Sequence, residues 1–246
     1  MKNYKIIISY DGSKYYGWEY QSSTELTIQG KLMNVLTKLT GTKVDVIGAG
    51  RTDAGVHARG MVANFCIDTT MSTSELRDYM NQYLPEDICV LEVHEASERF
   101  HSRYNATGKT YQYTCFHSHL KPIFDRKYMY ILSESPDIDL MRKAASYLIG
   151  TKDFASFCSN RKIKKSTVRT VDLIDIRQNG GYITFTYHGN GFLQHMIRIL
   201  TGTLLEVGYG KRSPENMLEL IDARNRSLAG FTAPANGLCL LEVDYN

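Results

Sequence analysis

The segment from Gly48 to Ala58 contains the residues best suited to chemistry. It carries three glycines, and Arg51 and Asp53 lie between the second and third of them. Glycine lets the backbone approach a ligand closely or adopt a positive φ angle, and loops at strand ends often carry functional sites. An aspartate in such a loop can attack a substrate covalently if a nearby cation keeps it ionised. The alternative is a surface arginine–aspartate pair on a turn, because such pairs are common and mostly weak.

Other kinds of site fit the sequence poorly. A dinucleotide-binding fingerprint would need a third glycine where Asp53 stands, and no phosphate-binding loop ending in Gly-Lys-Ser/Thr is present. The close histidine pair His117 and His119 has no cysteine at zinc-ligand spacing around it apart from the solitary Cys115. No Gly-x-Ser-x-Gly elbow supports a serine hydrolase. We therefore expect neither a cofactor nor a metal.

Aromatic and basic residues alternate in two neighbouring segments, Phe100–Tyr104 and Lys109–Tyr113. On a strand, Tyr111 and Tyr113 point to the same face. Aromatic rings beside cations on an open sheet can stack nucleobases and hold phosphates. The alternative is that these tyrosines pack in the core.

Basic residues also occur farther along the chain. His195, Arg198 and Gly202 recur at helical spacing, and Arg198 is a candidate counter-ion for a carboxylate elsewhere. The run from Arg161 to Lys165 is the densest basic stretch and suits phosphate contacts, although such runs are often solvated loops.

Regular elements must position these residues, and the first half of the chain predicts six of them. Residues 4–10 read as a strand, residues 28–39 as a helix capped by Gly41, and residues 44–47 and 60–67 as strands. Ser72 and Glu75 form a predicted capping box that opens a helix with Leu76, Met80 and Tyr83 on one face, and a strand follows at 88–93. The order is β-α-β-β-α-β, the ferredoxin-like unit.

The second half repeats this order with insertions. A strand at 109–116 and a helix at 139–148 precede a hairpin of strands 167–177 and 182–188. A helix at 192–207, another after Pro214 and a strand at 237–245 complete the order. We predict an α+β fold of two ferredoxin-like units, residues 1–105 and 106–246. They would share one large, mainly antiparallel sheet, with helices on one face and a catalytic cleft on the other.

Bulk composition is typical of a soluble globular protein. The 246 residues are 43% hydrophobic and 22% charged, with a formal net charge of +3. No apolar run approaches the roughly 18 residues of a membrane span. The five scattered cysteines lack Cys-x-x-Cys spacing, which favours free thiols. We expect a cytoplasmic protein with no membrane association.

Taken together, the motifs resemble the TruA-type tRNA pseudouridine(38–40) synthases over nearly the whole chain. The matching segments are 10–13, 17–18, 27–30, 50–58, 84–88, 100–104, 109–113, 153–157, 191–198 and 233–238. The chain departs from the family pattern at Glu19, where glutamine is usual, and at Tyr104, where phenylalanine is common. Neither departure falls on a residue with an assigned role, and Glu19 is expected to alter RNA contacts slightly.

The resemblance implies a function and a role for each site residue. Uridine in the anticodon arm of tRNA, at positions 38, 39 and 40, would be isomerised to pseudouridine without a cofactor, by a homodimer. Asp53 would be the nucleophile, and Tyr111 would lie against the target uracil. Arg51 would hold or displace the flipped nucleotide, and Arg198 would pair with the catalytic carboxylate.

The residues themselves leave several questions open. Asp53 would attack C1′ or C6 of the nucleotide, or assist removal of a proton at C2′. The rival readings are a non-catalytic RNA-binding module, a carboxylate-dependent phosphohydrolase and a ferredoxin-like scaffold without a site. The intact Asp53 with its arginine neighbours argues against a non-catalytic binding module. The absence of a second acidic cluster near Asp53 in the sequence argues against a phosphohydrolase.

Overall fold

The computed structural model describes residues 1–160 and 164–246. Arg161, Lys162 and Ile163 of the predicted basic run lie outside the described residues. The strands are β1 (Lys2–Tyr10), β2 (Ile47–Gly48), β3 (His57–Ile67), β4 (Ile88–Ala96), β5 (Ala106–Phe116), β6 (Tyr130–Ile131), β7 (Gly150–Asp153), β8 (Val168–Asn179), β9 (Tyr182–Gly189) and β10 (Leu238–Tyr245). The helices are α1 (Ile28–Thr40), α2 (Thr73–Tyr83), α3 (Ile138–Ser146), α4 (Met196–Gly208) and α5 (Asn216–Ala223).

The chain divides into two compact units. Unit one contains Met1–Thr107 and Cys239–Asn246, and unit two contains Gly108–Leu238. The first boundary lies two residues from the predicted one. The last strand differs from the prediction because it groups with unit one, where β10 pairs in parallel with β3 through Cys239 and His57.

Unit one follows the predicted β-α-β-β-α-β order. Its sheet has the strand order β4-β1-β3-β10, and β2 also pairs with β3. Strand β1 is central and antiparallel to both neighbours, so that Ile6 stands opposite Ala63 of β3 and Val93 of β4. Alternate side chains of β1, including Ile6 and Ile8, are fully buried together with Leu32 and Leu36 of α1. This alternation puts one face of the sheet in the core of the unit.

Local signals set the ends of both helices in unit one. The Thr27 side chain accepts a hydrogen bond from the Gly30 amide at the start of α1, and Gly41 ends that helix in the left-handed conformation, with φ 72°. At the start of α2, Ser72 and Glu75 form both hydrogen bonds of the capping box. The predicted Gly41 cap and the predicted capping box of Ser72 and Glu75 are confirmed, whereas the Thr27 cap was not predicted.

One side chain of α2 departs from the prediction. Leu76 and Met80 are buried as expected, but Tyr83 is 43% exposed. The amino group of Lys38 lies 4.0 Å from the centre of the Tyr83 ring. Tyr83 therefore belongs to the surface and not to the buried face of α2.

Unit two is built around a four-stranded antiparallel sheet in the order β5-β9-β8-β7, and β6 adds a short parallel pairing to β5. The predicted hairpin is confirmed as β8 and β9, joined across Gly180 and Gly181. Gly180 adopts a φ of 56°, which glycine takes without steric cost. Strand β7 was not predicted, because its sequence Gly-Thr-Lys-Asp is too short and too polar to show an alternating apolar pattern.

The start of α4 also differs from the prediction. The helix begins at Met196, four residues later than Phe192, because His195 has a φ of 59° and cannot continue a right-handed helix. His195 therefore precedes α4, whereas Arg198 lies in its first turn. The predicted grouping of His195 with Arg198 on one helix face is wrong.

The predicted fold class is confirmed as α+β with mainly antiparallel pairing. Among the strand pairs of the two units described above, only β3 with β10 and β5 with β6 are parallel. No helix in the described part of the chain is long and apolar enough to cross a membrane.

Candidate active site

The loop between β2 and β3 presents Asp53 on a tight turn. The Val56 amide donates to the carbonyl of Asp53 at 3.1 Å, and Gly55 takes a φ of 77°. A positive φ at the third position of a turn favours glycine. Thr52 is buried, Asp53 is half-buried and Arg51 is exposed. Asp53 is therefore partly exposed as a residue, and its backbone is held by the turn.

The segment from Tyr10 to Glu19, which begins at the last residue of β1, supports this loop on both sides of Asp53. Three of its hydrogen bonds reach Thr52 and Gly55: the Trp18 amide to the Thr52 carbonyl at 3.0 Å, the Gly55 amide to the Tyr15 carbonyl at 3.2 Å, and the Tyr10 hydroxyl with the Thr52 hydroxyl at 2.8 Å. The backbone on either side of Asp53 is thus hydrogen-bonded to a segment about 40 residues earlier. Preorganisation of this kind is what a reacting side chain needs.

Two positions of the supporting segment require glycine, because the backbone of the Asp53 loop passes close to them. A Cβ atom on Gly12 would lie 2.0 Å from the carbonyl oxygen of Val56, and one on Gly17 would lie 2.6 Å from that of Thr52. Gly17 also has a φ of 97°. These contacts explain why glycines occur in the motif segments 10–13 and 17–18.

A second layer holds the supporting segment itself. The Tyr15 hydroxyl donates to Asp87, and the Asp11 amide donates to the Asp87 carbonyl at 2.9 Å. Burial, followed by the hydrogen bond to Asp87, raises the pKa of Tyr15. Lys14 adds an ion pair to Asp87 at 3.5 Å. The motif at 84–88 therefore supports the Asp53 loop through an intervening segment.

His57 is a part of the site that the sequence did not single out. Its side chain is buried, and the Gly12 amide donates to its Nδ1 atom at 3.1 Å. The Asp11 carboxylate lies 3.1 Å from the same atom. The signal was its position at the end of the Gly48–Ala58 motif, four residues after Asp53. The contacts give His57 a structural role beneath the loop.

Arg51 forms an ion pair with Glu19. Its Nη1 atom lies 2.6 Å from Oε2 of Glu19, and both side chains are more than half exposed. We expected Glu19 to fall outside the residues with assigned roles. The structure instead pairs it with one of them, so this departure from the family pattern acts directly on Arg51.

Tyr111 and Arg198 lie in unit two. Tyr111 is 8% exposed, and its ring meets that of Phe192 edge to face at 5.5 Å. Tyr113, on the same face of β5, is fully buried and donates its hydroxyl to the Pro234 carbonyl at 2.7 Å. Burial raises the pKa of Tyr113. The core alternative therefore holds for Tyr113, and the burial of Tyr111 agrees with it as well.

Arg198 is anchored by Ala233. Its Nε atom donates to the Ala233 carbonyl at 2.7 Å, and the Ala233 amide donates back to the Arg198 carbonyl at 3.0 Å. This reciprocal pair connects the motif at 191–198 to the motif at 233–238. It holds the half-buried Arg198 side chain in one orientation.

Asp53 and Arg51 share a loop in unit one, while Tyr111 and Arg198 belong to unit two. In the described parts of the chain, no group of three or more histidine, cysteine, aspartate or glutamate side chains is arranged to hold a metal ion.

An α+β fold with an aspartate on a glycine-rich turn does not by itself name an activity, which has to come from comparison with known proteins. The family model described as tRNA pseudouridine synthase matches residues 6–105 and 144–246. The chain belongs to the tRNA pseudouridine synthase family, which is a family of isomerases.

Curated relatives match the chain over its whole length. A protein named tRNA pseudouridine synthase A from Bacillus sp. (strain KSM-64) is 44% identical over 245 residues, covering 100% of both chains. tRNA pseudouridine synthase A 1 from Clostridium tetani is also 44% identical with the same coverage. tRNA pseudouridine synthase A from Clostridium kluyveri is 42% identical, again over 100% of both chains.

Proposed function

We propose that this chain converts uridine to pseudouridine in the anticodon arm of tRNA, at positions 38, 39 and 40, with Asp53 as the nucleophile. We further propose that Tyr111, Arg51 and Arg198 bind the substrate, and that the enzyme works as a cytoplasmic homodimer. The observation that carries the activity is the full-length match at 44% identity to proteins named tRNA pseudouridine synthase A. The enzymatic class follows from the family itself.

The placement of Asp53 supports its role. The reaction breaks the N1–C1′ bond of uridine, turns the uracil and joins C5 to C1′, and C5 releases its hydrogen to solvent as a proton while N1 gains a proton. A stacked nucleotide hides the reacting atoms, so the base must first leave the stack at a cost of about a few kcal/mol. A half-buried carboxylate on a hydrogen-bonded turn is accessible to an everted nucleotide and needs little rearrangement to react.

The two arginines supply the charge that the substrate requires. Arg51 is exposed beside Asp53 in the sequence, where it can contact the RNA backbone. Arg198 is held by Ala233 through its Nε atom, which orients the guanidinium group. The edge-to-face contact with Phe192 orients the Tyr111 ring in the same way.

The test is Asp53→Asn. This substitution keeps the size of the side chain and removes the carboxylate, so turnover is expected to fall to background while tRNA still binds. Turnover is measured by release of tritium from C5-labelled tRNA, binding by filter retention, and the modified positions by chemical mapping of pseudouridine.

Asp45→Asn is the matched control, because Asp45 is 83% exposed in its side chain and precedes the same loop. It should retain turnover. Retained turnover in Asp53→Asn would remove Asp53 from the role of nucleophile. Wild-type protein that binds tRNA without releasing tritium would identify a binding module and refute the activity.

A further inference from the structure

We propose that the exposed ring of Tyr104, stacked on His101, is a platform on which tRNA stacks a base other than the reacting uridine. The inference rests on the proposed function, because it takes tRNA as the partner. It assigns a binding role to the segment from Ser97 to Asn105, which the proposed chemistry does not use.

The two rings already form a stack with one face open. The ring centres of Tyr104 and His101 lie 4.2 Å apart, with 29° between the ring planes. Tyr104 is 78% exposed, although one face of its ring is covered by His101. The other face of the Tyr104 ring is therefore turned to solvent. Such a surface is what a nucleobase needs to extend the stack.

Hydrogen bonds from the backbone hold the lower ring of the stack. The Nδ1 atom of His101 accepts from the amides of Arg103 at 3.2 Å and Tyr104 at 3.3 Å. The amide of His101 donates to the side chain of Asn105 at 2.7 Å. Because His101 is held in place, stacking a base would cost little additional ordering of the protein.

A buried polar network anchors the segment to the sheet of unit one. The Asn3 side chain donates to the Phe100 carbonyl at 2.9 Å, and the Ser102 amide donates to the Asn64 side chain at 2.9 Å. The Tyr245 hydroxyl donates to the Ser102 carbonyl at 2.6 Å. Asn3, Asn64 and Ser102 are all buried, and buried polar groups are costly unless they are paired. The network therefore enforces one loop conformation that displays Tyr104.

The charge of the segment favours RNA as the occupant. Arg99 and Arg103 are exposed on either side of the His101 ring in sequence, and Glu98 is the one acidic residue between Ser97 and Asn105. A flat aromatic ring in a segment with two exposed arginines matches a base with its flanking phosphates. A second copy of this chain would need a larger complementary surface than one exposed ring to bind here.

The experiment compares Tyr104→Ala with Tyr104→Phe in the full-length protein. Filter binding with unmodified tRNA gives the Kd, and tritium release gives kcat and KM. Tyr104→Ala should weaken binding at least about fivefold, the low end of the value of one stacked base, and the loss should appear in KM. Tyr104→Phe should restore binding, because the platform needs the ring and not the hydroxyl.

Tyr83→Ala is the matched control, since Tyr83 is an exposed tyrosine of unit one on α2. It should bind tRNA as the wild type does. Binding by Tyr104→Ala within twofold of wild type would overturn the proposal, as would a Phe variant as weak as the Ala variant. A change of mass in sedimentation for Tyr104→Ala would show that the ring contacts a second copy instead. The Kd comparison needs no turnover, so an absence of pseudouridine formation refutes the proposed function separately.

Discussion

If Arg51 contacts RNA as proposed, replacing Glu19 with glutamine should strengthen tRNA binding, because Glu19 would compete with RNA for Arg51. The two side chains form an ion pair of 2.6 Å, and 56% of the Arg51 side chain and 58% of the Glu19 side chain are exposed. Exposed ion pairs of this kind have an interaction free energy of about 0.2–1 kcal/mol. RNA must displace Glu19 before it can use Arg51 fully, so the substitution removes that cost.

The expected gain in tRNA affinity follows from this range of ion-pair free energies. Converted to an equilibrium constant, about 0.2–1 kcal/mol corresponds to roughly 1.4-fold to fivefold tighter binding. The gain should be largest in low salt and shrink as salt rises, because the Debye length falls to about 10 Å at 0.1 M and exposed charges are then screened. The melting temperature should hardly change, since both groups are solvated.

The assay is the tRNA Kd of wild type and Glu19→Gln over a series of salt concentrations. Repeating the comparison in an Arg51→Ala background forms a double-mutant cycle. If Glu19 acts through Arg51, the gain disappears in that background, whereas a general charge effect persists. Asp45→Asn controls for removal of one exposed negative charge from unit one. Equal or weaker binding by Glu19→Gln in low salt would refute the competition.

Two further predictions concern Tyr111 and the cysteines. Tyr111→Phe keeps the ring contact with Phe192 and removes the hydroxyl. The variant should bind tRNA but release tritium far more slowly than the wild type. Wild-type kinetics in this variant would show that Tyr111 is a packing residue only. Burial raises the pKa of Cys239 to about 11. Because the thiolate is the reactive form, peptide mapping after alkylation at pH 8 should show Cys239 modified much more slowly than the exposed Cys66 and Cys89. Its rate should rise with pH up to about 11, and equal rates at pH 8 would contradict the burial.

The helix ends of unit one illustrate what the sequence alone specifies. Gly41 ends α1, and Ser72 with Glu75 begins α2, as predicted, and the Thr27 side chain caps the start of α1 in the same local way. Each signal is complete within a few residues, because a cap satisfies amides or carbonyls of the adjacent turn. The hairpin of β8 and β9 is local in the same sense, since two glycines join strands that pair directly.

Patterns that depend on a remote partner were predicted less well. The alternation of the last strand was visible, but its grouping with unit one depends on β3, which lies about 180 residues earlier in the chain. The start of α4 was misplaced because the apolar periodicity continues back to Phe192, while the left-handed conformation of His195 interrupts the helix. Periodicity reports which residues face the core and not where the backbone turns.

The candidate site shows the same distinction between local signals and contacts with remote residues. The sequence by itself determined that Asp53 stands on a glycine-rich loop at the end of a strand, because composition and spacing encode that local geometry. Only the tertiary structure decided that Tyr10 and Trp18 hold that loop and that Glu19 pairs with Arg51 across 32 residues of sequence. Contacts between distant residues depend on how the strands bring them together, and no short stretch of sequence contains that information.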